Sequence, residues 1–345
     1  MKGIADVTKK ERVWAVINGS PPDVTPYYID LTFHGKRKMA DYYGVAPELL
    51  NQTLGNDLLF LNYTAPDNFG SEPMEPHRFI DEFGVVWDSG KSRSIGDWGL
   101  ISHPVSDLDF DDYRFPTGRG EGRFNQALTE AERNPGCFNL LQMVGLFDTA
   151  WHITGMQDFL MSMASDPDLT EKMLEMALNY NLNIMDGMPD YIDGVRFLED
   201  WGTQRGMMMG LGYWRKYLKA PLKKMYEACK KKGCAVFLHS CGDITDVFPE
   251  IIEIGVDVVD PIQPEVMDLG FIKAEYGKDI VLFGGIGSQS TIPLGTPEGV
   301  LSECRARWEL LSIGGKFIMG PSGAIPTDAP LENIAAIVDF CKTMG

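Results

Sequence analysis

The chain has 345 residues, 44% of them apolar, and a formal net charge of −18 from 31 basic and 49 acidic residues. That balance argues against nucleic acid or an anionic membrane surface as a partner, because both require a basic footprint. No apolar run reaches the roughly 20 residues of a membrane span, and Met1–Arg12 lacks the apolar stretch of a secretory leader, so the expected location is the cytoplasm. The six cysteines (Cys137, Cys229, Cys234, Cys241, Cys304 and Cys341) form no CxxC pair and read as reduced thiols.

Thr8-Lys9-Lys10-Glu11 is a capping box that starts a helix reaching about Asn18, and Gly19-Ser20-Pro21-Pro22 stops it. Residues 26–30 read as a first strand ending in Asp30. Two short helices, over 36–43 and 47–54, lead to a second strand at 57–62. Residues 64–125 interrupt this rhythm. The alternation in Phe79–Trp87 predicts an antiparallel hairpin or meander, with turns at Gly90 and Gly96 and irregular chain after His103. Strands at 138–144, 194–200, 235–239, 256–260, 280–285 and 316–320 then alternate with helices at 149–163, 167–186, 213–231, 245–254, 268–276, 297–311 and 331–342. Eight apolar strands alternating with helices imply right-handed parallel crossovers, and eight is the count of a TIM barrel. The expected fold is therefore a single (β/α)8 TIM barrel over residues 1–345, with an N-terminal helical segment and an antiparallel insertion at 64–125 near the barrel mouth.

In such a barrel the chemistry sits at the C-terminal strand ends. Those ends carry Asp30, Gln142, Glu199, Asp200, His239, Cys241, Gln263 and Ser322. Side chains alternate along a strand, so His239 and Cys241 share a face. An imidazole and a thiolate together suit zinc, which in catalytic sites takes three protein ligands and keeps one position open. The third ligand must come from another strand end. Glu199 is the leading choice, and its neighbour Asp200 could take the same role.

Several segments resemble the uroporphyrinogen decarboxylase superfamily, in its branch of corrinoid-dependent (cobamide, cobalamin-type) methyltransferases. They are Lys10-Glu11-Arg12-Val13 with Pro22-Asp23, Asp81–Trp87, Phe197-Leu198-Glu199-Asp200-Trp201-Gly202 with Gln204, and His239-Ser240-Cys241-Gly242-Asp243. Pro26, Gly255-Val256-Asp257, Pro261-Ile262-Gln263-Pro264, Gly284-Gly285-Ile286 and Gly314-Gly315-Lys316-Phe317-Ile318 with Gly320-Pro321-Ser322 complete the set. The resemblance implies a TIM barrel in which an HxC pair and a later Cys bind zinc. His239 and Cys241 match the pair, whereas Ser322 stands where the later Cys is expected. Serine is a poor zinc ligand, so a carboxylate is expected to complete the site, a harder ligand set better suited to an ether or phenolic oxygen than to a thiol. Thr25–Asp30 has no arginine for a polycarboxylate substrate, which disfavours porphyrinogen decarboxylation.

The resulting expectation is a zinc-dependent methyltransferase that moves a methyl group between a small-molecule heteroatom (oxygen, nitrogen or sulfur) and the cofactor of a separate corrinoid protein. His239, Cys241 and Glu199 are the expected metal ligands. Asp200, Gln204 and Asp243 are assigned to catalysis, and Tyr28, Asp30, Gln142, Gln263 and Ser322 to the substrate. A homodimer is one assembly left open. The rival readings are a decarboxylase-like lyase using Asp30 and a non-catalytic barrel that binds a corrinoid protein.

Overall fold

The computed structural model describes residues 7–67, 69, 77–88 and 99–344. Its strands are β1 (Leu58–Asn62), β2 (Arg78–Ile80), β3 (Val86–Asp88), β4 (Gly99–Ser102), β5 (Phe138–Val144), β6 (Gly194–Leu198), β7 (Gly202–Thr203), β8 (Gly206–Met207), β9 (Ala235–His239), β10 (Val258–Ile262), β11 (Val281–Ile286) and β12 (Phe317–Pro321). Seven of them make one sheet in the order β1-β5-β6-β9-β10-β11-β12. Every residue of β10, β11 and β12 is buried, as expected of parallel strands covered on both faces. The expected antiparallel insertion is the three-stranded sheet β2-β3-β4. The turns expected at Gly90 and Gly96 lie outside the described residues.

The sequence reads as one domain, and the structure divides into two compact units, each discontinuous along the chain. The first comprises Met1–Leu61, Thr129–Leu140 and Asp257–Gly345. Here the strand expected at 26–30 is reduced to isolated bridges, Tyr27 to Met319 and Leu31 to Ile325. The Asp57 amide also bonds to the Tyr27 carbonyl at 3.0 Å, so this segment lies between β12 and the start of β1, the place of an eighth strand. A side chain takes part of the ladder's role, because the Ile29 amide donates to Asn56 Oδ1 at 2.9 Å.

Asp57 ties the N-terminal helix Lys9–Ile17 into this unit. Its buried carboxylate accepts from the Tyr27 amide at 2.9 Å and from Arg12 Nη1 at 2.5 Å, while the rest of the Arg12 guanidinium holds Asp23. The capping box is present, with Glu11 N bonded to Thr8 Oγ1 and Thr8 N to Glu11 Oε2.

The second unit comprises Asn62–Leu128 and Leu141–Val256. Its parallel pair β6–β9 matches Gly194 with Ala235 through to Leu198 with His239. The single helix expected over 149–163 is two, Leu146–Thr154 and Met156–Ser165, which separate at Gly155. The helix Asn125–Arg133 and the β7–β8 hairpin are further elements that periodicity did not reveal. Among the described residues no helix is long and apolar enough to cross a membrane.

Removing one member of a buried ion pair typically costs about 3–5 kcal/mol, because the remaining charge stays buried and unpaired. Asp57→Ala leaves Arg12 Nη1 and the Tyr27 amide without their shared acceptor, while Arg12 keeps its pair with Asp23. The substitution is expected to lower the unfolding free energy measured by urea denaturation by about 3 kcal/mol, the low end of that range, and Asp23→Ala, at a more exposed carboxylate, by much less.

Candidate metal centre

The centre is built where β6 and β9 end side by side in the second unit. Leu198 pairs with His239, and the Glu199 amide donates to the His239 carbonyl at 2.8 Å. The ladder therefore continues one residue past β6 and delivers Asp200 beside the β9 end. There the Cys241 amide donates to Asp200 Oδ1 at 2.8 Å. His239 Nε2 lies 3.6 Å from Cys241 Sγ and 3.7 Å from Asp200 Oδ1. One ligand atom from each of Asp200, His239 and Cys241 falls within 4.8 Å of the others.

The two chain segments are held at backbone contact. A Cβ on Gly202 would stand 2.4 Å from the Cys241 carbonyl oxygen, and one on Gly242 would stand 2.4 Å from the Gly202 carbonyl carbon. Gly242 also has a φ of +81°, which side chains on an L-residue disfavour. The Asp243 amide donates to the Thr203 carbonyl at 2.8 Å, and the Trp201 amide to Ser240 Oγ at 3.0 Å. Asp243 uses its own carboxylate to accept from the Thr245 amide and hydroxyl, at 2.9 and 2.6 Å. It shapes the turn after β9. Gln204 is exposed at the tip of the β7–β8 hairpin.

Glu199, expected as the third ligand, is committed elsewhere. It is fully buried, and its carboxylate accepts from the Leu146 and Phe147 amides at 2.6 and 3.0 Å and from Trp201 Nε1 at 3.2 Å. It caps the helix Leu146–Thr154 from a different strand. Gly145 at the N-cap leaves the space, since a Cβ there would lie 2.3 Å from the Glu199 carboxyl carbon. A strand alternates its faces, so successive residues at its end cannot both address one point, and it is Asp200 that reaches His239 and Cys241. Asp148, on the same helix, accepts from the Asp200 amide at 3.1 Å and from Trp151 Nε1 at 2.9 Å. Burial, and then the Asp200 charge, push the Asp148 pKa up to about 7. Burial, and then Asp148, push that of Glu199 up to about 8.

Behind His239 runs a polar chain that the sequence reading missed. Arg196 Nη2 meets His239 Nδ1 at 2.6 Å, Arg196 Nη1 donates to Gln142 Oε1 at 2.7 Å, and Gln142 Nε2 donates to Asn62 Oδ1 at 3.1 Å. An arginine only donates, so Nδ1 accepts and the proton of the neutral ring sits on Nε2, facing Cys241 and Asp200. The signal in the sequence was a charged residue inside the apolar strand Gly194–Leu198, since a buried guanidinium must have partners.

The donor set fits a tetrahedral divalent ion. Bonds of about 2.0–2.3 Å at tetrahedral angles place ligand atoms about 3.4–3.6 Å apart; the two separations from His239 Nε2 are 3.6 and 3.7 Å, and all three donors lie within 4.8 Å of one another. A nitrogen, a sulfur and an oxygen also suit zinc. A metal ion would take the place of the Nε2 proton.

The remaining expected site residues belong to the first unit. Tyr28 is buried and stacked on Phe60, with ring centroids 4.0 Å apart. Asp30 accepts the Ile325 amide through its backbone carbonyl. Gln263 is buried just past β10. Ser322 accepts from the Ser288 amide at 3.0 Å and donates to Glu265 Oε2 at 3.2 Å.

Comparison with known proteins places the fold and the family. A methyltransferase from Methanosarcina mazei superposes with a TM-score of 0.76, covering 98% of this chain and 99% of that one at 19% identity. The fold is thus a TIM barrel with extra antiparallel strands. Residues 140–344 match the model of the uroporphyrinogen decarboxylase (URO-D) family, and the chain belongs to that family. Among curated proteins, a methylated-thiol–coenzyme M methyltransferase of Methanosarcina mazei is 24% identical over 196 residues, 57% of this chain. The aligned region spans 50% of that relative's length.

Glu199→Ala would leave two helix-end amides buried without an acceptor, at about 1–3 kcal/mol each. It is expected to lower the thermal midpoint sharply, and Glu199→Gln, which keeps an acceptor oxygen in place, by less. Differential scanning calorimetry of both variants reads the difference.

Proposed function

We propose that the chain is a methyltransferase that moves a methyl group between a heteroatom of a small molecule and the cofactor of a separate corrinoid protein, with zinc held by Asp200, His239 and Cys241. The reading is carried by one observation, the N, S and O donors gathered at the ends of β6 and β9. The methyltransferase named among the relatives and the URO-D membership support it.

In either direction of transfer the heteroatom holds the electron pair of the bond made or broken. Zinc, when bound, would supply a Lewis acid that stabilises negative charge on that atom. The chain's own residues do the rest. Arg196 fixes the His239 ring from behind, so that Nε2 faces the other two donors. The Cys241 amide holds the Asp200 carboxylate in place, and Asp148 secures the Asp200 backbone. Asp200 here takes the place that the sequence reading gave to Glu199, while Ser322 is engaged by Ser288 and Glu265.

Zinc titrated into the metal-free protein is expected to bind one ion per chain. Asp200→Asn, His239→Ala and Cys241→Ser should each weaken binding by at least about tenfold, whereas Glu199→Gln, which retains an acceptor for the Leu146 and Phe147 amides and removes no donor from the candidate site, should weaken it by less. Methyl transfer from a heteroatom donor to a reduced corrinoid protein, followed by visible absorbance, should fall with the same three variants. Full zinc affinity in His239→Ala, or unchanged methyl transfer, refutes the proposal.

A further inference from the structure

In the second unit the helix Lys219–Lys231 ends just before β9, and a Schellman motif closes it. The Gly233 amide donates to the Lys230 carbonyl at 2.9 Å and the Cys234 amide to the Cys229 carbonyl at 3.4 Å, while Gly233 takes a φ of +77°. With Lys232 as the C-cap residue, Cys229 and Cys234 occupy the two positions whose side chains meet in this motif. Apolar residues commonly make that contact. Here both partners are thiols.

The two sulfurs are packed around one stretch of main chain. Cys229 Sγ lies 3.8 Å from the Cys234 carbonyl oxygen and 3.7 Å from that of Ala235. Cys234 Sγ lies 3.3 Å from the Ile192 carbonyl oxygen. A disulfide needs Cα atoms about 4.4–6.8 Å apart, and the backbone bond that joins the two residues directly holds them close enough for side-chain rotation to make the bridge. A hydrogen bond from Cys229 draws the Cys234 thiol below its ordinary pKa, with help from Lys232 and against burial and the charges of Asp193 and Asp190. Burial moves the thiols of Cys137, Cys304 and Cys341 the other way. The more readily ionised thiol is the more reactive one at neutral pH. Exposure orders the pair in the same sense. Cys229 is fully buried, Cys234 is 5% exposed, and the connecting residues 230–233 face solvent, so a small reactant meets Cys234 first.

We propose that Cys229 and Cys234 form a reversible thiol–disulfide site, oxidised by a low-molecular-weight disulfide of the glutathione type. The Cys234 thiolate attacks one sulfur of that disulfide, forms a mixed disulfide and releases the first small thiolate. Cys229 then gives up its proton and attacks the Cys234 sulfur, which forms the S–S bond and expels the second small thiolate. Both protein thiols are oxidised, the small disulfide is reduced to two thiols, and the two protons end on those thiols. The bridge joins the helix end to the root of β9, the strand that carries His239 at its other end. The site uses neither metal nor methyl transfer, so it does not rest on the function proposed above.

Mass spectrometry of the full chain after incubation with glutathione disulfide provides the test. Trypsin cuts after Lys230, Lys231 and Lys232, so the peptide ending in Cys229-Lys230 and the peptide beginning at Gly233 stay together only when a disulfide links them. The second peptide also carries Cys241, and a parallel digest of Cys241→Ser removes that ambiguity. The linked peptides are expected in both proteins, with circular dichroism unchanged. They should form at least about tenfold faster than Cys304 or Cys341 reacts, and dithiothreitol should separate them. Cys229→Ser should stop at a glutathione adduct on Cys234, and Cys234→Ser should slow reaction at Cys229. The proposal is overturned by a folded, unaltered chain that yields no linked peptides or keeps the adduct on Cys234 without closing. Equal rates at Cys304 and Cys341, or linkage only after circular dichroism is lost, overturn it as well.

Discussion

The hydrogen bond from the Glu199 amide to the His239 carbonyl, 2.8 Å long, is the interaction on which the candidate metal centre depends. It extends the parallel ladder of β6 and β9 by one residue. With that extension Glu199 turns toward the helix it caps, and Asp200 turns toward His239 and Cys241. A slip of one residue would exchange the two carboxylates, since side chains alternate across a strand. The capping bonds to the Leu146 and Phe147 amides therefore do more than complete a helix. They hold Glu199 in its buried place and, through the chain, keep Asp200 in its own.

The same constraint explains what could be read from the sequence. Strand 138–144 and the helices 167–186 and 297–311 appear with the expected limits, because long periodic runs with Pro at N1 and clean stops leave little choice. The His239–Cys241 pair follows from alternation alone. Asp200 and Glu199 could not be told apart, because their roles are decided by helix amides 52 and 53 positions away in sequence and by the room left at Gly145. The first strand fared less well. Residues 26–31 run beside β12, but an asparagine side chain and isolated bridges replace much of the ladder, and no pattern in the sequence announces such a substitution. Arg196 was passed over because the strand around it reads as apolar core.

Two organising principles meet in the second unit. At one, donors converge on a small volume at adjacent strand ends. At the other, the rings of Tyr63, Phe79, Phe83 and Tyr180 line a cavity of about 470 Å³. Gln142 and Arg196 join them, each making one bond toward the cavity side and one toward the imidazole. A change at the cavity that moved Gln142 would thus reach His239 through two hydrogen bonds, without altering any donor directly.

The backbone contact between Gly202 and Gly242 has a further consequence. The distance between the two strand ends is set by main chain packed against main chain, and neither Asp200 nor Cys241 contributes a side chain to that contact. Side-chain bonds are added across the same place, from the Cys241 amide to Asp200 Oδ1 and from the Trp201 amide to Ser240 Oγ. Exchanging a donor side chain at Asp200 or Cys241 leaves this backbone contact intact, whereas a side chain at Gly202 or Gly242 would collide with main chain.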